Sequence, residues 1–372
     1  MKRYVSMAAA GLLAAGFAAA GTASAGSEPS GDPAADAEAA AERVAPYLEP
    51  VTEIPVTEPL DAVPEPGRKV YWLEGNIQSI LPITGGFEAA TAALGWDLTT
   101  ITYDPADPQG PNAAMQQAVD AGADYIAISG QPVSAIEQAL AAAKAAEIPV
   151  FAMFGENVSD PETGIVGVVG GLDLTADNAE RLGDFMIAES GGEADILIVN
   201  VPDFTILAYA EEVLTTHLDE NCGACEYETL EGTISDMASG ALSGQIVSYL
   251  QTHPETTDIY LAIGDMALGL PESIEAAGID TDARILGGVP NVDQIQSLID
   301  GTTDAWMTLP RVSAAWQMVD GMARYDLGMD VSVSEAVPMR PIYTPDNVPS
   351  PAEDYAGVEG YEDQWKALWG VE

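Results

Sequence analysis

The chain has 372 residues, with 12 lysines and arginines against 59 aspartates and glutamates, for a formal net charge of −47. A surface of that sign repels phosphate, which argues against a nucleic-acid partner and against an anionic membrane surface. Hydrophobic residues make up 47% of the chain, so a core can be buried and wholesale disorder is excluded. The length fits one large domain or two ordinary ones.

The acidic, lysine-poor composition has two interpretations. One is a halophilic or salt-tolerant source, since counterions screen the mutual repulsion of surface carboxylates. The other is ordinary solubility from excess acid. The first interpretation predicts that the melting temperature rises as KCl is added, because screening relieves repulsion in the compact folded state. Thermal melts across a KCl series measure this, and destabilisation by salt would contradict it.

The first 25 residues have the features of an export signal. A basic start is followed by an apolar run of small residues, Met7 to Ala20, and then by Ala23-Ser24-Ala25, which fits an A-x-A cleavage site. We expect cleavage near Ala25 and a periplasmic or extracellular protein. The alternative is a membrane anchor, but the run is short, and no later stretch of about 18 apolar residues could span a bilayer.

Residues 26–67 form an acidic leader rich in Ala and Pro. Asp32 to Tyr47 predicts a short helix, whereas Glu49 to Gly67 carries five prolines and favours an extended, polyproline-like chain. We interpret the leader as a spacer without chemistry of its own.

From Arg68 onward, apolar runs typical of strands alternate with helical patterns. The predicted strands are Val70–Leu73, Leu98–Tyr103, Tyr125–Ser129 and Ile148–Phe154, and the predicted helices are Phe87–Leu94, Asn112–Asp120 and Ser134–Ala146. Such alternation predicts right-handed βαβ units and a parallel sheet covered on both faces.

A second set of the same kind begins after Gly170. Its predicted strands are Ile196–Val201, Tyr227–Leu230, Ile259–Ile263 and Ile285–Val289, and its predicted helices are Ala176–Glu189, Tyr209–His217, Gly240–Thr252, Ser273–Ala277 and Val292–Ile299. The fold class is therefore α/β with two similar halves. Ligand binding is expected where the carboxyl ends of the strands of the two halves face each other.

The two cysteines, Cys222 and Cys225, stand as C-G-A-C between a predicted helix and a predicted strand. In an oxidising compartment they predict a small structural disulfide. A redox pair or, with His217, a metal site are the alternatives. A redox C-x-x-C usually follows a strand and opens a helix, and structural zinc usually takes four ligands, so we expect no metal.

Four segments resemble a known family. Gly86-Phe87-Glu88 through Leu94-Gly95-Trp96 is similar to the first helix of that family, and Asp124–Ser129 to its third strand. Ala145–Val150 resembles a helix-to-strand "xxIPV" step, and Gly264–Gly269, followed by Ala276–Gly278, resembles "NDxMALGA…AAG". Together with the export signal, the order and spacing of these four segments give residues 68–345 a resemblance to one family. That family is the substrate-binding proteins of ABC transporters in the ribose-binding-protein-like group, which are periplasmic binding proteins of fold type I.

The resemblance implies two Rossmann-like lobes with parallel sheets, joined by a three-strand hinge near Gly171, Leu309-Pro310 and Val337-Pro338. The first lobe would comprise 68–170 plus 310–337, and the second 171–309 plus 338–372, with the C-terminal tail packed on the second lobe. It also implies a monomer that closes on a small-molecule ligand by a hinge motion and docks on an ABC transporter permease, without a cofactor.

The polar pocket of the family's sugar binders is largely missing. Phe154-Gly155 occupies the place of an Asp-Arg pair, and the family's pocket Asp falls on Val289; its pocket Arg falls near Ala208 or Ala210, its pocket Asn on Ile263 or Gly264, and its stacking aromatic near Met237. An unpaired buried hydroxyl costs roughly 1–3 kcal/mol, so these changes argue against a simple polyol. They favour a ligand with an apolar or aromatic body and few polar groups.

The candidate ligand-binding residues follow predicted strands or replace the family's pocket residues. They are Glu74, Asn76, Gln78, Gln131, Phe154, Glu156, Asp203, Phe204, Asp236, Met237, Ile263, Asp265 and Asn291. The alternatives are turn formation and helix capping for the polar ones, and core packing for Phe154, Met237 and Ile263.

Catalytic motifs are absent from the sequence. It has only two histidines, of which His253 is expected to cap a helix end, and it lacks a G-x-S-x-G elbow, H-E-x-x-H, a Walker loop and G-x-G-x-x-G. We expect a binding protein rather than an enzyme. A secreted hydrolase with an unrecognised carboxylate pair and a ligand receptor for a membrane sensor are the alternatives.

Overall fold

A computed structural model describes residues 31–76, 80–104 and 107–372. The predicted signal peptide and Gln78 lie outside the described residues. The helices are α1 Pro33–Leu48, α2 Leu81–Ala93, α3 Gly110–Asp120, α4 Val133–Ala145, α5 Leu172–Glu189, α6 Thr205–Asn221, α7 Ile234–Ser239, α8 Ala241–Leu250, α9 Leu270–Ala277, α10 Val292–Ile299, α11 Arg311–Leu327 and α12 Tyr361–Trp369. The strands are β1 Lys69–Gly75, β2 Asp97–Tyr103, β3 Tyr125–Ser129, β4 Val150–Met153, β5 Ile165–Val169, β6 Asp195–Asn200, β7 Glu226–Glu231, β8 Asp258–Leu261, β9 Arg284–Gly288, β10 Ala305–Met307 and β11 Ile342–Tyr343.

The first lobe is built on a parallel sheet in the order β2-β1-β3-β4-β5. Every residue of β3 is buried, as expected for a central strand covered on both faces. Phe87 of α2 and Trp316 of α11 fill the core on one face, and Met115 of α3 and Ile136 of α4 fill the core on the other. The predicted βαβ arrangement is confirmed for this lobe.

The second lobe has the sheet order β11-β10-β9-β8-β6-β7. Its pairs are parallel except for the edge strand β11, which runs antiparallel to β10. Leu182 of α5 and Leu214 of α6 belong to the core on one face, and Ile246 of α8 and Leu298 of α10 to the core on the other. The predicted fold class, α/β with two parallel-sheet lobes, is confirmed.

Three connections between the two sheets join the lobes. The chain passes from β5 to α5 at 170–171, from β10 to α11 at 308–310, and from the turn after α11 to β11 at 336–341. The last two lie side by side, since the Thr308 amide and hydroxyl both donate to the carbonyl of Pro341, at 3.1 and 2.9 Å. These three connections between the two sheets are called the hinge below.

The leader, interpreted from the sequence as a spacer, packs on both lobes. Its helix α1 has Asp36, Ala40 and Val44 buried at a spacing of four residues, and this stripe packs on α5 and α6 of the second lobe. Ile54 and Val56 then enter the core of the first lobe. Small residues on one face of α1 allow this close docking.

The tail also departs from the expectation, which placed it on the second lobe. Trp365 and Trp369 of α12 are buried against α11 in the first lobe. Trp369 stacks on Trp316 with ring centroids 5.3 Å apart. Two tryptophans four residues apart share one helix face. The large apolar area that they bury favours packing of the tail on the first lobe.

The disulfide between Cys222 and Cys225 is present and closes the turn between α6 and β7. Within that turn the Gly223 amide donates to the carboxylate of Asp36 in α1, at 3.0 Å.

Both histidines have partners nearby. His217 contacts Asp184 at 2.7 Å. His253 stacks on Tyr249 at the end of α8, and its Nδ1 lies 3.0 Å from the Tyr249 carbonyl oxygen.

Candidate functional site

The carboxyl ends of strands from the two sheets meet across a cleft. Glu156 follows β4 in the first lobe, and its carboxylate accepts a hydrogen bond from the hydroxyl of Thr205, the first residue of α6 in the second lobe. The loops after β4 and β6 are therefore in contact. Of this pair, Glu156 was a sequence candidate, whereas Thr205 was not.

Glu74 lies at the end of β1 and is only 8% exposed. Its carboxylate accepts hydrogen bonds from Thr84 of α2 and, at 3.3 Å, from Thr102 of β2. Trp72 donates from Nε1 to the Thr84 hydroxyl at 2.9 Å. No ion pair with Glu74 is present among the described residues, so hydroxyl groups alone fix this carboxylate. Next to it, Asn76 is exposed.

Tyr103, at the end of β2, was not among the candidate ligand-binding residues predicted from the sequence. Its hydroxyl bonds to the side chain of Gln131, and burial raises its pKa while that bond acts in the opposite direction. A Cβ on Gly75 would lie 3.2 Å from the Tyr103 hydroxyl, so the glycine gives the ring room. The carbonyl of Gln131 accepts from Asn157 Nδ2 at 2.7 Å. Gln131 is thus held between the last residue of β2 and a residue that follows β4.

Phe154 and Val289 have left-handed backbone conformations, each with φ of +50°. Phe154 directly follows β4, and Val289 directly follows β9. Such conformations cost non-glycine residues of order 1–3 kcal/mol and cluster at binding sites. The Phe154 ring lies against Gly170 of the hinge, where an added Cβ would come within 2.7 Å of the ring. Phe154 and Val289 are two of the five places where the resemblance implies a pocket residue that this sequence lacks.

In the second lobe, Asp203 and Phe204 stand before α6 on the surface of the cleft. The Asp203 carboxylate accepts from the Ile234 amide at 3.4 Å, which links the loops after β6 and β7. Phe204 occupies the N-cap position of α6 without a side-chain capping bond, and is 37% exposed. An exposed aromatic where a capping residue usually stands suits contact with a ligand.

Two candidates have the capping role that was their alternative. Asp236 forms a capping box with Thr233 at the start of α7, and hydrogen bonds from the Thr233 hydroxyl and amide lower its pKa. Asn291 forms a capping box with Gln294 at the start of α10. Asn291 Nδ2 also donates to Asp265 at 2.8 Å, so it joins the loops after β8 and β9.

Met237 and Ile263 are half-buried and pack against the core of the second lobe. Their placement therefore agrees with the packing alternative.

Large apolar side chains are exposed in the segments that follow strands of both sheets. Six large apolar side chains that follow strand ends are 37–58% exposed: Leu81, Val158, Phe204, Ile234, Leu268 and Val292. We call this set the apolar rim. In the described chain, the arginines nearest these strand ends, Arg311 and Arg340, are buried at the hinge and paired with Asp354 and Asp177. The cleft loops carry carboxylates and apolar groups instead of cations.

Among the described residues, no cluster of three or more His, Cys, Asp or Glu side chains has an arrangement that could hold a metal ion. In the same part of the chain, no helix combines the length and hydropathy needed to cross a membrane.

Solved structures with this fold come from several bacteria. A carbohydrate transporter from Acidothermus cellulolyticus, in complex with myo-inositol, is 22% identical with a TM-score of 0.60, covering 76% of this chain and 96% of its own. A glucose-galactose binding protein from Geobacillus stearothermophilus is 17% identical with a TM-score of 0.63, covering 77% and 100%. A solute-binding protein from Bradyrhizobium with bound bis-tris is 15% identical with a TM-score of 0.65, covering 78% and 86%.

Comparison with curated protein sequences gives no match. The sequence model of one family, described as "Periplasmic binding protein domain", matches residues 74–327. That range contains both sheets except β11 and the start of β1, together with the cleft loops. The chain belongs to the periplasmic binding protein family.

Proposed function

We propose that this chain is an extracytoplasmic substrate-binding protein that captures a small solute between its lobes and delivers it to an ABC importer. The observation that carries the proposal is the pair of left-handed residues, Phe154 and Val289, which end strands in the two sheets beside the cleft. The contact between Glu156 and Thr205 supports closure of the lobes around a ligand. The protein acts as a monomer and holds its ligand without transforming it.

The ligand has an apolar or aromatic body and few polar groups. The apolar rim supports this, as does Phe154-Gly155 in place of an Asp-Arg pair. The related structures bound myo-inositol or are named for glucose and galactose, which are polyols. A polyol in this cleft would find carboxylate acceptors but no arginine that donates charge-assisted hydrogen bonds to its hydroxyl oxygens. Carboxylates at Glu74, Glu156 and Asp203 disfavour an anion, so the ligand is neutral or cationic.

Native mass spectrometry of the protein purified from its own cells tests the receptor function. We expect a reproducible mass above the apo chain that is lost on partial unfolding. That added mass identifies the ligand, and calorimetry then gives its affinity. Tight binding of glucose or ribose would contradict the proposed ligand class while leaving the receptor function intact.

Phe204→Ala is expected to weaken binding of that ligand about tenfold, since an aromatic contact of this size contributes roughly 1–2 kcal/mol. Val63→Ala is the matched control, because Val63 is 53% exposed in the leader, outside the apolar rim. Calorimetry of the two variants measures the difference. Equal affinities would remove Phe204 from the binding surface.

A further inference from the structure

The leader and the tail lie outside the family match, and each is attached to both lobes. The leader is anchored to the second lobe by α1. Arg43 bonds to the buried carboxylate of Asp184 through Nε at 2.8 Å and through a terminal nitrogen at 2.7 Å. The Tyr47 hydroxyl donates to Asp177 at 3.0 Å, and Val44 is buried against α5 and α6.

A few residues later the leader is anchored to the first lobe. Ile54 and Val56 are buried in its core. The carbonyl of Glu58 accepts from the buried guanidinium of Arg324, and the carbonyl of Glu65 accepts from Trp96 Nε1 at 3.0 Å.

The tail makes the same crossing in the same direction. It leaves the second lobe at β11 and reaches the first lobe at Ala356, whose carbonyl accepts from the Ser313 amide at 2.8 Å. Trp369 of α12 then donates from Nε1 to the buried carboxylate of Asp320 at 2.8 Å. With these two crossings and the three hinge connections, the described chain passes between the lobes five times.

The two crossings are tied to each other. Gln364 of α12 donates from Nε2 to the Thr52 carbonyl at 2.9 Å and accepts from the Ile54 amide at 3.1 Å. On the second-lobe side, Asn347 Nδ2 donates to the carbonyl of Leu48 at 3.1 Å. Residues 49–53 and 344–358 therefore form a paired strap.

The strap is short on the leader side. The carbonyls of Leu48 and Thr52 are bonded on opposite sides of the crossing, to Asn347 and Gln364. Four residues span at most about 14 Å when fully extended. The separation between these two bonded carbonyls therefore cannot exceed that length. A larger separation of the lobes at this point would require the bond to Asn347 or the bond to Gln364 to break.

The strap is also fastened to the hinge through Arg311, which begins α11 and is buried. Its NH1 donates to both carboxylate oxygens of Asp354 in the strap, at 2.8 and 3.1 Å. Its NH2 donates to the carbonyl of Pro290 in the second lobe at 3.2 Å. Pro290 lies between the strained Val289 and Asn291, so one guanidinium joins the strap, the first lobe and a cleft loop.

We propose that the paired strap limits how far the two lobes open. This restraint goes beyond ligand capture and does not depend on which ligand is bound. It predicts that release of α1 from the second lobe widens the cleft of the unliganded protein.

The test compares Val44→Asp with Ala45→Asp. The first places a charge in the buried interface of α1, and the second places the same charge on the exposed face of the same helix. Spin labels at Glu137→Cys of α4 and Ser248→Cys of α8, both exposed and in different lobes, report the distance between the lobes. Bound solute is first removed by unfolding, dialysis and refolding.

We expect a longer and broader distance distribution in Val44→Asp, and an unchanged one in Ala45→Asp. Hydrogen exchange of the α1 amides establishes that α1 is released. An unchanged distribution with α1 released would overturn the proposal.

A second pair of variants tests the tail side without disturbing α1. Asp354→Ala removes the bond between the strap and Arg311, and Glu353→Ala changes the exposed neighbour. Asp354→Ala is expected to broaden the inter-lobe distances and to speed amide exchange in residues 287–292, with Glu353→Ala unchanged. Equal behaviour of the two variants would contradict the role given to Arg311.

Discussion

Asp320→Ala is expected to lower the free energy of unfolding by about 3–5 kcal/mol, the usual cost of leaving a buried charge without its partner. The Asp320 side chain is fully buried in α11. One carboxylate oxygen accepts from Arg324 Nε at 2.7 Å and from the Ser334 hydroxyl at 2.6 Å, and the other from Trp369 Nε1 at 2.8 Å. Without it, the fully buried guanidinium of Arg324 keeps only its contacts to Glu58 within the described part of the chain.

Urea unfolding followed by tryptophan fluorescence measures this loss. Asp363→Ala, on the exposed face of α12, is the control and should change stability by less than about 1 kcal/mol. Asp320→Asn keeps an acceptor but not the charge, so its effect should lie between the two. A midpoint for Asp320→Ala equal to that of Asp363→Ala would show that the network contributes little.

The strands β1–β4 and β6–β9 could be predicted from the sequence, most of them from apolar or β-branched runs, whereas β5, β10 and β11 could not. β10 has three residues and β11 two, too few for any periodic pattern. β5 follows a turn and carries a glycine in its middle. The helix α11 was not predicted because it lacks a polar face: it is buried on almost all sides and yet contains Asp320 and Arg324. Charged residues suggest a surface until their pairing is known.

The sequence predicted where along the chain candidate residues lie better than it predicted what each side chain contacts. The residues that follow strands lie at one edge of each sheet, because parallel strands bring their carboxyl ends together. The capping boxes at Asp236 and Asn291 depend on local backbone geometry, and the left-handed conformation of Phe154 leaves no mark in the sequence. Tyr103 is the last residue of a strand, whereas the polar candidates were residues expected to follow strands.

The docking of the leader could not be predicted because its partners are remote. Arg43 and Asp184 are 141 positions apart, and the apolar stripe of α1 is made largely of alanine. Such a pattern fits an exposed helix equally well. The contacts that distinguish a strap from a spacer exist only after both lobes have formed.

Asp184→Asn is expected to destabilise the protein at neutral pH by about 3 kcal/mol, and the difference from the unaltered chain should shrink in acid. The Asp184 carboxylate is fully buried and contacts Arg43, Arg181 and His217 at 2.7–2.8 Å. Burial alone would raise its pKa, but the hydrogen bonds from His217 and Arg43 and the charge of Arg181 outweigh burial and hold the pKa below its ordinary value.

The sign of the pH effect follows from that depressed pKa. The stabilisation is complete above the pKa of the unfolded chain, about 3.9 for Asp, and is lost as the pH falls through the lower pKa of the folded state. The other carboxylates titrate in both proteins, so the difference between the two urea midpoints from pH 7 to pH 3 isolates Asp184. Asp293→Asn, exposed at the start of α10, is the matched control and should change the urea midpoint at pH 7 much less than Asp184→Asn does. If the gap between Asp184→Asn and the unaltered chain stayed constant below pH 4, the carboxylate would not be held ionised by its three partners, and α1 would be anchored mainly by its apolar face.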